Sequence, residues 1–148
     1  MRLRNTTTYD DRFLRDLVTF CRKELGLKAS HVTEAQFVTS RKHWAGMRGT
    51  AWTAQHDWRR GSDGCFKQTC VAGRIRVRLS LKNHFPLKWD EYTSKDPLAA
   101  LAYLVGHELA HVAGFVFGLT PGEKSPRRAG AIIAERYLTS LKPREETP

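Results

Sequence analysis

The stretch Asp96-Pro-Leu-Ala-Ala-Leu-Ala-Tyr-Leu-Val-Gly-His-Glu-Leu-Ala-His-Val-Ala-Gly-Phe-Val-Phe117 decides how this chain folds. Asp96 is a helix-capping residue, and Pro97 suits the first helical position, where a missing N–H costs nothing. From Leu98 the residues are apolar nearly all round, and Gly118 supplies a stop. A helix of that kind belongs inside a protein, so residues 97 to 117 are predicted to form a central buried helix. In its middle stand His107, Glu108 and His111. Buried groups of this type need partners.

Their spacing points to a chemistry. His107 and His111 are four residues apart, so both imidazoles lie on one helical face, within reach of a single Zn²⁺. Glu108 leans toward the same edge, where it can act on a metal-activated water as general base without ligating the ion. A catalytic zinc takes three protein ligands and leaves one position open. The metzincin pattern is excluded, because Phe117 stands where its third histidine belongs and Met1 and Met47 both precede the motif. No histidine follows His111, so a downstream third ligand must be a carboxylate. Glu135, at the border of the apolar arc of a predicted third helix, is favoured over Glu123 in the preceding loop, since rigid elements hold metals best. Otherwise Glu135 is a surface residue pairing with Arg128 or Lys142.

Working outward from this helix, Phe13, Leu14, Leu17, Val18, Cys21 and Leu25 recur at helical spacing and end at Gly26. They predict a first helix over about 9–25, opened by a hydroxyl cap at Thr8. Ala35 to Ser40 and Gly49 to Ala54 read as strands on either side of a basic turn at 42–46, and 61–64 as a further turn. Arg74 to Leu81 alternates strictly, with Ile75, Val77, Leu79 and Leu81 on one face and Arg74, Arg76 and Arg78 on the other, which is the mark of a half-buried strand. Ser125-Pro126 opens the third helix, to about Leu141, and the polar tail at 143–148 is expected to fray. Tyr103 and Tyr137 are expected in the core, and His31, His43, His56 and His84 in surface or capping roles.

The composition sets further limits. A chain of 148 residues with 41% hydrophobic and 27% charged residues fits one folded domain, 1–148, and excludes disordered or fibrous classes. The longest uninterrupted apolar run, Leu98 to Gly106, is far short of the roughly 20 residues a membrane span needs. The N-terminus leads into polar residues and not into an apolar signal core. Cys21, Cys65 and Cys70 are too few and too scattered for a disulfide framework, and Cys65 and Cys70 are expected as packing thiols. These features predict a cytoplasmic protein without a membrane partner. The net charge is +10, and residues 41–82 hold ten Lys and Arg against Asp57 and Asp63. The same segment carries Trp44, Trp52, Trp58 and Phe66. Cations interleaved with aromatics suit a DNA or RNA strand as partner, through phosphate contact and base stacking.

Taken in order, Phe20-Cys-Arg-Lys-Glu-Leu-Gly-Leu27, Gly49-Thr-Ala51, the strand at Ile75 to Leu81 and His107-Glu-Leu-Ala-His111 resemble the SprT-like zinc metallopeptidases, over about residues 9–115. That group includes the protease domain of eukaryotic DNA–protein crosslink repair enzymes. With a carboxylate as third ligand, the chain is also similar to the ImmA/IrrE-type glutamate zincins. The resemblance implies an α+β, zincin-like single domain with an N-terminal helix, a small mixed or antiparallel sheet of about three to four strands, and the active-site and C-terminal helices at about 97–117 and 126–141. It further implies a zinc-dependent peptidase with Glu108 as general base and His107, His111 and Glu135 as metal ligands, acting on a protein or peptide substrate, DNA-associated proteins among them. In such enzymes a sheet edge beside the active-site helix aligns the substrate, a role open to the Arg74 to Leu81 strand. The competing expectation is a nucleic-acid-binding module on an inactive zincin scaffold.

Overall fold

The computed structural model describes residues 1–40, 48–60, 62–80, 85–89, 92–118 and 124–141. Its elements run β1 (Arg2–Asn5), α1 (Asp11–Glu24), a 3-10 turn (Ala29–His31), β2 (Val32–Ser40), β3 (Arg48–Arg60), β4 (Phe66–Ser80), β5 (Leu87–Trp89), β6 (Tyr92–Ser94), α2 (Pro97–Phe117) and α3 (Lys124–Leu141). The fold is α+β, with these three α-helices and a small mixed four-stranded sheet of order β1-β2-β4-β3. β1, β2 and β4 run parallel, and β3 is antiparallel to β4.

The sheet buries one face. Ala35 and Phe37 of β2 and Ile75, Val77 and Leu79 of β4 point into a core shared with Leu14, Leu17 and Val18 of α1 and with α2. β4 therefore obeys its alternation, while its arginines occupy the opposite face. α2 spans the predicted residues: the Asp96 side chain accepts from Ala99 N at 2.8 Å, and Gly118 closes the helix at a left-handed φ of 67°. By length and composition α2 could cross a membrane, yet 67% of its most apolar window is buried inside the protein, as in the core helix of a folded domain. Within α2, Tyr103 is held between Trp89 and Tyr92 of the β5–β6 hairpin, with ring centroids 4.7 and 5.0 Å away.

Several expectations are corrected. α1 is capped by Asp10, which accepts from Arg12 N at 3.0 Å, and not by Thr8; a carboxylate one residue before the helix also meets its positive end. β1 and the β5–β6 hairpin were not foreseen. The first is only four residues long, two of them arginine, and the strands of the second are three residues each. Before Gly73, β4 pairs only with β3, so Phe66–Ala72 and Gln55–Arg60 form a two-stranded ribbon. Cys65 lies exposed there, not packed, and Cys70 is only partly buried. Packing burial belongs to Cys21, whose thiol is pushed up to about 12 by desolvation, then by the Glu24 charge. His31 does cap, its Nδ1 accepting from Lys28 N at 2.9 Å. The basic turn at 42–46, His43, His84, Leu81, Glu123 and the tail at 143–148 lie outside the described residues.

Candidate metal centre

Because α2 is helical throughout, its local geometry brings His107 and His111 together. Their ring centroids are 5.0 Å apart at an interplanar angle of 66°. His107 and Glu108 are buried, 9% and 5% exposed, and His107 Nε2 lies 3.7 Å from Glu108 Oε1. All three side chains line one open pocket of about 270 Å³, together with Gly49, Thr50 and Ala51 of β3 and Phe115 of α2. The pocket thus has two imidazoles and a carboxylate on the helix for a floor and residues of a strand for a wall.

That wall is close because position 49 has no side chain. A Cβ there would lie 2.5 Å from Glu108 Cγ and 2.7 Å from its Oε1. The Gly49 φ is not positive, so the glycine serves space and not backbone freedom. Sequence reasoning missed this role, although a glycine inside a strand pattern signals close backbone approach. Gly49→Ala is expected to push the Glu108 carboxylate aside and lower any hydrolytic rate by about 100-fold, since displacements near 1 Å carry costs of that order. The three atoms nearest the new methyl all belong to Glu108, so bound metal should change less than the rate. Rate assays beside elemental analysis check it; an unchanged rate would remove Glu108 from the chemistry.

The other side of α2 is fixed by α3. At Gly130 a Cβ would come within 3.0 Å of Tyr103 O and 3.1 Å of His107 N and Cβ, and at Gly106 within 3.2 Å of Ile133. Two glycines let the helices touch backbone to backbone directly behind His107, so α3 is the support on which the first imidazole rests. Tyr103 adds a second support one turn earlier, its ring 5.7 Å from that of His107.

Glu135 is not among the residues lining the pocket. Its side chain is exposed and takes the hydroxyl of Tyr92, whose pKa is pushed up to about 12 by burial, then by the Glu135 charge and hydrogen bond. Tyr92 therefore remains a donor to Glu135 across the ordinary pH range. Among the described residues, no set of three His, Cys, Asp or Glu is placed to share one ion. His107, buried, and His111, half-buried, face that pocket with Glu108 beside them, so two nitrogen donors are available to a divalent ion there.

The substrate-aligning role foreseen for the Arg74 to Leu81 strand is overturned. β4 is interior, flanked by β2 and β3, and has no free edge along that stretch. The strand that borders the pocket is β3, at the end of the sheet order. Periodicity could not reveal this, because an interior strand and an edge strand alternate alike. Comparison with protein-family models, with curated proteins and with solved structures finds no match to this chain.

Proposed function

We propose that this chain is a zinc-dependent peptidase of the zincin type. The observation that carries the reading is the convergence of His107, His111 and Glu108 on one pocket walled by the first residues of an edge strand. His107 and His111 would hold the ion; of the two carboxylates expected as third ligand, Glu135 stands outside the pocket on Tyr92 and would have to leave it, and Glu123 lies outside the described residues. Bound there, zinc supplies a Lewis acid that polarises the substrate carbonyl and acidifies the attacking water.

The chain's own residues do the rest. Glu108 accepts the proton of the attacking water at a carboxylate oxygen and hands it to the leaving amine. Burial of Glu108 keeps bulk water from competing for that proton. An extended substrate can add to the edge of β3 that no described strand pairs with, at Thr50 and Ala51, through main-chain hydrogen bonds, which selects for extended peptide without demanding a sequence. Gly49 lets the β3 backbone close directly on Glu108, so that the strand edge and the base stand side by side.

Elemental analysis of the purified chain tests the reading. About one zinc per chain is expected, falling toward none in His107→Ala, together with chelator-sensitive cleavage of an unfolded protein. Glu135→Ala and Glu123→Ala assign the third ligand, since the variant that loses zinc removes it. Absence of zinc after addition and dialysis would refute the proposal and leave a scaffold without peptidase chemistry.

A further inference from the structure

The helices cover one face of the sheet, and among the described residues no element covers the other. The register defines what stands on that open face. Arg2 and Arg4 of β1 pair with Glu34 and Gln36 of β2, and Glu34, Gln36 and Val38 pair in turn with Arg74, Arg76 and Arg78 of β4. Thr50 and Trp52 of β3 complete the row opposite Arg76 and Arg74. Arg2, Arg4, Arg74 and Arg78 are exposed, and Glu34 is the one carboxylate among these strand positions. Gln36 is buried, 7% exposed, because Arg76 Nε donates to it at 2.8 Å and it donates to Glu34 at 3.1 Å. The Arg74 and Arg76 guanidinium carbons each lie 5.1 Å from the Trp52 ring centroid.

We infer that this open sheet face binds single-stranded nucleic acid. The argument is charge complementarity joined to shape. Arginines on alternate residues of β4 stand about 6.6 Å apart, and the β1 row lies about 10 Å across β2 from them. The result is a cationic surface two strands wide with one acidic interruption. Guanidinium groups chelate phosphate oxygens in pairs and stack on flat rings, and the Arg74–Trp52–Arg76 cluster sets such planes in the middle of the field. Phosphate contact with sequence-tolerant base stacking is how single strands are held on flat surfaces, whereas a duplex keeps the faces of its bases inside the stack, where the Arg74–Trp52–Arg76 planes cannot reach them. The face is built by tertiary pairing: it recruits Arg2 and Arg4 from the N-terminus, far from the basic segment in sequence. It lies on the opposite side of the sheet from the pocket, so the inference does not depend on the peptidase reading.

The test uses the full chain and a labelled oligonucleotide of about 20 nucleotides without secondary structure, followed by fluorescence anisotropy from 50 to 300 mM salt. The expected result is binding that Arg4→Gln, Arg74→Gln and Arg78→Gln together weaken at least tenfold, with the salt slope reduced by about 2, as three lost phosphate contacts require at roughly 0.7 each. The three single variants, on two different strands, give the same reading in smaller steps should the triple variant fold poorly. A control of equal charge change on the helical side, Arg12→Gln with Lys23→Gln and Lys28→Gln, is expected to weaken binding less than threefold. The inference is overturned by no binding at 50 mM salt, by equal loss in the control, by tighter binding of a duplex of the same length, or by anionic phosphatidylserine vesicles displacing the oligonucleotide.

Discussion

Glu108→Gln is expected to reduce peptide hydrolysis by about 10²- to 10⁴-fold, the range general bases contribute, while leaving zinc content and thermal stability near those of the parent chain. The substitution keeps the side-chain volume and therefore the fit under Gly49, where the clearance is too small for even a methyl group. It removes one negative charge from a side chain that is 5% exposed, and ionised groups in such places are costly to bury. Loss of the charge should therefore not destabilise the fold. A purely structural carboxylate would behave in the opposite way, with activity, if any, tracking stability. Single-turnover assays on the zinc-loaded variant and a thermal melt separate the two. Retention of more than a tenth of the parent rate would dismiss Glu108 as the base.

The second large effect is expected from Gly130→Val, which should lower stability by about 2–3 kcal/mol, a fall in Tm of roughly 5–10 °C for a domain of this size. The new side chain would drive into Tyr103 O and the backbone and Cβ of His107, atoms 3.0–3.1 Å from where its Cβ must sit. Backbone cannot rotate away as a flexible side chain can. α2 and α3 must part, and His107 moves with them, so metal affinity should drop along with Tm. Gly114→Ala is the control on the same motif helix. Nothing lies within 4 Å of a Cβ at that position, so only the helix-propensity gain of about 1 kcal/mol acts, and Tm should rise. Opposite responses at two glycines on touching helices would show that close approach, not composition, governs this junction.

The contrast between those glycines also marks what the chain states locally. Gly118 ends α2 in the left-handed region, as its place after an apolar helix announces, and Asp96 caps as expected. The helix, its limits and the presence of His107, Glu108 and His111 on one side of it follow from rules that act within a few residues: capping, a 3.6-residue period and the avoidance of exposed apolar surface. The alternation of Ile75, Val77 and Leu79 against Arg74, Arg76 and Arg78 is of the same kind and is obeyed.

Neighbours distant in sequence were decided elsewhere. Arg2–Asn5 becomes a strand because β2 offers it a parallel edge, and nothing within those four residues demands it. β4 lies inside the sheet and β3 at its margin, because strand order is set by which apolar faces close over α1 and α2, whereas a period of two is the same in either place. The nearness of Gly49 to Glu108, 59 positions apart in the numbering, and the tie of Glu135 to Tyr92 likewise arise only when sheet and helices pack. By itself the sequence determined a buried helix bearing two imidazoles and a carboxylate at metal-binding spacing, since that pattern is written in one continuous turn of backbone. Tertiary structure alone decided which strand walls the pocket, what supports His107 from behind and which arginines share a face, since each depends on burying surface between segments that no local rule connects.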